Sequence, residues 1–88
     1  MDKATFLAIL ADIVAGFEDA EFKRQMATAK AAGDVGQLMA LPMAVQARAF
    51  GKHGLEADAG TAAFKAAGRQ FGLEPEAGPL LARMKAAL

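Results

Sequence analysis

The sequence contains no cysteine, serine, asparagine, tyrosine or tryptophan. Without cysteine there is no disulfide framework and no thiolate metal site. With serine missing as well, the usual covalent nucleophiles are gone, and Thr5, Thr28 and Thr61 are weak replacements. The expectation is a protein with no enzymatic activity, no catalytic residue, no cofactor and no metal. Charge of either sign is not in excess: ten basic and ten acidic side chains cancel. Residues 1–44 carry four basic and six acidic groups, and residues 45–88 carry six and four. Nucleic-acid binders show a basic stripe, and this chain has none. No apolar run approaches the roughly 20 residues that span a bilayer. The opening "MDKATFLAILADIVAGF" is interrupted by Asp2 and Asp12 at helical intervals, which marks a core helix rather than a signal peptide. A soluble, cytoplasmic protein is expected, with neither nucleic acid nor membrane as partner. Strand signals are absent too, because β-branched residues are few and never alternate.

What is present is alanine, 23 of 88 residues, beside 25 large apolar side chains. Alanine favours helix but buries little area. A chain of this length buries only about 60–65% of its unfolded surface. The composition therefore predicts one all-α domain over residues 1–88, a compact bundle of four to five short helices. Its core is thin and suited to completion by another chain or by self-association.

Periodicity places the elements. The first helix is predicted from Lys3 to Gly16 with Asp2 as N-cap. Phe6, Ile9, Leu10, Ile13 and Phe17 form its stripe, widened by Leu7 and Val14, and make it the centre of the core. Asp19 caps a second helix, "AEFKRQMATAKAA", which buries Phe22, Met26 and Ala29 and stops at Gly33. Asp34 opens the third. Here Val35, Leu38, Met39, Pro42, Val45, Ala49 and Phe50 keep one broad apolar face in phase across a proline. An interior proline lacks an amide proton and clashes with the carbonyl of residue i−4. The preserved phase predicts a single helix over 35–52, kinked at Pro42. Gly51 and Gly54 close it. Asp58 is placed as cap of a fourth helix, "AGTAAFKAAGRQF", anchored by Phe64 and Phe71 and otherwise flat with alanine and glycine. Pro75 or Pro79 takes a first-turn position in the last helix, whose apolar edge is Leu80, Leu81, Met84 and Leu88.

Few side chains suggest chemistry. His53, the single histidine, has no second histidine or cysteine for a metal site and reads as a helix C-terminal or surface group. Glu74 and Glu76, and the cluster Glu18, Asp19 and Glu21, fall where helices begin and carboxylates offset the helix dipole. "GDVG" lacks the lysine and preceding strand of a phosphate-binding loop, and is a helix stop followed by a helix start. Methionines suit adaptable apolar surfaces, and Met39 and Met43 bracket Pro42. They suggest a groove beside the kink that accepts a partner helix, with Met39, Pro42, Met43, Phe50 and Phe64 as partner-binding residues. The alternative is a carrier of a small apolar ligand, for which Gln37, Gln46 and Arg48 are the available polar groups.

In order along the chain come "LADIVAGFED", "MATAKAAGDVGQLM", "LPMAVQ", "HGL", Gly60 with Phe64, "EPE" at 74–76 and "LLARMKAAL". Over roughly residues 7–88 this succession resembles the small eukaryotic protein C-ten family. The resemblance implies an all-helical, non-enzymatic protein that acts through protein–protein interaction, with no catalytic residue to carry over.

Overall fold

The computed structural model describes residues 1–88 as five helices and no strand: α1 Lys3–Glu18, α2 Ala20–Ala32, α3 Val35–Lys52, α4 Ala57–Phe71 and α5 Ala77–Ala87. Helix α1 starts where Asp2 accepts a 2.8 Å hydrogen bond from the Thr5 amide, satisfying one of the free first-turn donors. Two rows with a period of four run along it and face different neighbours. Ile9, Ile13 and Phe17 pack with Phe22, Met26, Val45, Ala49 and Phe50. Phe6, Leu10 and Val14 pack with Ala67 and Ala77, under Leu80, Leu81 and Phe71. Six of its side chains are buried, and it touches all four other helices. The most hydrophobic helix is therefore the axis of the bundle, as its stripe predicts.

Helix α1 runs two residues past the expected stop at Gly16. Gly16 does not end the helix; it lets α3 approach. A Cβ built there would lie 2.5 Å from Val45 Cγ1. The true break is Asp19, which closes α1 and caps α2 by accepting from the Glu21 and Phe22 amides at 3.0 and 3.2 Å. Across this junction Phe17 and Phe22 stack with centroids 5.1 Å apart.

Gly33, at φ 65°, ends α2 as expected. Its amide donates to Lys30 O and the Asp34 amide to Ala29 O, the paired bonds of a Schellman motif. Asp34 then accepts from the Gln37 amide at 3.1 Å, so only two residues separate α2 from α3 and the helices fold back as antiparallel neighbours. Helix α3 continues through Pro42 as one element. Its first half lies on α2. Its second half lies on α1, where Val45 covers Gly16 and Lys52 and His53 reach Asp12.

A second left-handed glycine, Gly54 at φ 74°, turns the chain into α4. The Gly54 amide bonds Gly51 O and the Leu55 amide bonds Phe50 O. The expected cap Asp58 lies inside the first turn instead: α4 starts at Ala57 after Glu56, whose side chain makes no capping bond. The Schellman closure at Gly54 and Leu55 sets the chain direction, so the helix begins one residue before Asp58. Helix α4 then crosses the bundle. Gly60 presses on Phe50, Phe64 sits between Phe50 and Phe6 (5.8 and 5.0 Å between centroids), and Phe71 ends 6.1 Å from Phe6. Pro75 falls in the turn before α5, and Pro79 occupies the first helical turn.

Ion pairs fasten α5 and its preceding turn along α1. Lys3 meets Glu76 at 2.6 Å and Glu74 at 3.4 Å, while Arg83 meets Glu18 at 2.5 Å. Their order shows that α5 runs in the same direction as α1. Hydrogen bonding from Arg83 lowers the pKa of Glu18, that from Lys3 lowers Glu76, and the Thr5 amide lowers Asp2. Each group is more acidic in the folded than in the unfolded chain. Its contribution is complete above the usual carboxylate range and is lost as pH falls through the lowered folded value. The urea midpoint is therefore expected to fall between about pH 5 and pH 2. A Glu18→Gln/Glu76→Gln variant should show a flatter acid limb; an equally steep one would assign the loss to other groups.

Candidate functional site

The candidate site is the outer face of α3. Its residues recur every four positions: Val35, Met39 and Met43 are 65%, 63% and 64% exposed. Carrying the same face forward leads to Gln46 and Phe50. At that end Gly60 of α4 closes over Phe50, which is 1% exposed. Beyond Gly60, α4 departs towards Phe6, so the earlier half of the same face has no helix above it.

This uncovered half is also free of charge. No ionisable side chain lies between Asp34 and Arg48. Beside the large residues runs a row of small ones, Gly36, Ala40 and Ala44, all exposed, with Ala47 half-buried on the same side. The arm formed by α2 and the first half of α3 is two helices thick, and from residue 27 to residue 44 only Ala29 is buried. An exposed helix surface ordinarily carries charged groups at intervals; here both hydration and packing are incomplete.

The five residues expected to bind a partner divide accordingly. Met39 and Met43 lie on the open face, and Pro42 beside them is half-buried. Phe50 and Phe64 do not join them. Phe50 is sealed under Gly60, and Phe64 bridges the two core clusters as a partly buried side chain. Their apolar phase is real, but α4 consumes it. Val35 belongs to the face and was legible in the same stripe. The small row was also visible, as a period of four in "GQLMALPMA", yet without neighbours it reads as ordinary helix surface.

The groups that suggested chemistry are held in structural contacts. His53 Nε2 lies 3.0 Å from Asp12 Oδ2, and Lys52 Nζ lies 3.6 Å from Oδ1 of the same carboxylate. Forty-one positions separate His53 from Asp12, so no local pattern announces the pair. Glu74 and Glu76 gather on Lys3, Glu18 on Arg83 and Glu21 on Arg24, while Asp19 caps α2. No three His, Cys, Asp or Glu side chains converge as a metal cluster would require. No buried side chain is polar or charged.

Two clefts flank α2, and the second is also lined by Ala44 of α3. One of about 430 Å³ lies near Arg24, Thr28, Asp34 and Gln37. The other, about 680 Å³, lies near Asp19, Glu21, Phe22 and Arg48. Gln37 lines the first and Arg48 the second, and Gln25 and Leu41 line both. Leu73, fully exposed in the turn after α4, stands alone. No helix is long and apolar enough to cross a membrane. Comparison with protein-family models, with curated proteins and with solved structures found no match.

Proposed function

We propose that the chain is a non-enzymatic helical interaction module that docks another protein chain on the outer face of α3. The carrying observation is the Val35–Met39–Met43 stripe, exposed along a stretch with no charged residue. Burying a side chain of this size stabilises by about 1.5–3 kcal/mol. Three in a row leave a driving force that the isolated fold does not use. Methionine adapts its unbranched side chain to the surface it meets, which suits a docking site more than a rigid catalytic pocket. The sequence resemblance to the protein C-ten family supports the same reading. The lack of cysteine is in keeping with a reducing compartment, and we place the activity in the cytoplasm.

A photo-crosslinking residue introduced at position 39 tests this in host extract, with position 65 on α4 as the exposed comparison. The expected result is a discrete protein adduct from position 39 and none from position 65. Absence of any adduct at 39, or equal labelling from both positions, would count against a docking role for α3.

A further inference from the structure

We propose that the occupant of the α3 face is a second copy of this chain, so that the protein forms a two-fold dimer through α3. The proposal rests on the reading of α3 as a docking surface and adds the partner's identity.

Three features select a second copy over an unrelated chain. The first is shape. Val35, Met39 and Met43 form a ridge at a spacing of four, and Gly36, Ala40 and Ala44 form a parallel depression one residue along. Ridges with this spacing pack into the equivalent grooves of a facing helix. In a two-fold pair the same patch meets itself. Each copy's ridge then enters the other's depression, and the glycine and alanines let the backbones approach. A surface with only a ridge or only a groove would need a different partner; this one carries both.

The second feature is charge. A two-fold axis sets residues near it against their own copies, so any charged side chain there meets its like. No residue of α3 from Val35 to Ala47 is ionisable, and the charges nearest the stripe stand at its two ends, Asp34 beside Gly36 and Arg48 in the cleft that Ala44 also lines. A foreign partner imposes no such condition, and interfaces between unlike chains use complementary charge for steering and specificity. The whole chain is also neutral, with ten groups of each sign, so nothing repels two copies at long range.

The third is extent. Three side chains that are about two-thirds exposed, with the adjoining alanines, offer roughly 400 Å² per copy, within the range of about 300–600 Å² for the largest apolar patch of a monomer, which is often functional. Stable interfaces bury about 800 Å² per partner. The dimer is consequently weak and forms by mass action, which suits a monomer whose own core is already closed around α1.

Analytical ultracentrifugation of the full chain from about 10 µM to about 1 mM tests it. The apparent mass should rise from 9.1 kDa towards twice that value, and about 1 M salt should leave the association intact or strengthen it, because no ion pair is involved. Met39→Glu and Met39→Lys alter an exposed position and should each stay folded by circular dichroism and remain monomeric. Mixed in equal amounts they should associate again, since unlike charges then face each other near the axis. A constant 9.1 kDa over the whole range overturns the proposal, as does an association that salt abolishes or that Met39→Glu leaves unchanged. A mixture no more associated than its components overturns the two-fold arrangement. A monomeric chain that crosslinks from position 39 to a different protein overturns self-association and leaves the docking face standing. No crosslink and no dimer overturns both.

Discussion

Truncation of Phe50 to alanine is expected to destabilise the fold by about 3–5 kcal/mol. Phe50 is 1% exposed, held between Gly60, Phe64 and the Ile9–Ile13–Phe17 row of α1. Its ring belongs to the cluster that joins α3 to α1 and also meets Gly60 and Phe64 of α4, so neighbours cannot collapse into the space without moving a helix. A domain of 88 residues has a total stability of about 4–13 kcal/mol, and the loss is a large share of it. Urea unfolding monitored by helical ellipticity should show a much lower midpoint. Met39→Ala, by contrast, truncates a mostly exposed side chain and should change the midpoint little. Equal, small effects at 50 and 39 would mean that Phe50 does not hold α3 to its neighbours.

The second large effect concerns two glycines of one helix. A Cβ at Gly60 would lie 2.7 Å from Phe50 Cγ and 3.0 Å from two further atoms of that side chain. Phe50 is enclosed and cannot retreat. Gly60→Val should therefore cost about 2–3 kcal/mol through overpacking, despite valine's better helix propensity. Gly68 is different: the nearest atom to its Cβ position is Phe6 Cε1 at 3.9 Å, ordinary contact distance. Gly68→Ala should stabilise by about 0.5–1 kcal/mol, the difference in helix propensity. Opposite signs at positions eight residues apart, measured by thermal or urea unfolding, would show that close approach and not flexibility keeps glycine at 60. A stabilising Gly60→Val would refute that close approach.

Much of this architecture was legible locally. The α1 stripe, the Asp2 and Asp19 caps, the stop at Gly33 and the restart at Asp34 each depend on groups within a few residues of one another. Pro42 also resolved correctly as an interior residue of a continuous helix, because the apolar phase on either side agreed. Gly16 and Asp58 misled for a shared reason. A glycine reads as a stop and an aspartate as a cap, but Gly16 answers to Val45 and the start of α4 answers to the turn at Gly54. Neither partner is adjacent in a way that periodicity records.

The candidate site divides along the same line. Sequence alone determined that α3 carries one apolar face from Val35 to Phe50, with methionines around a proline and no charge between Asp34 and Arg48. Which half of that face remains open was decided by the path of α4. Helix α4 lies on Phe50 through Gly60 and then turns to Phe6, burying one end of the stripe and leaving Val35, Met39 and Met43 bare. The physical reason is that periodicity is a property of one helix, whereas exposure depends on which other helix reaches it.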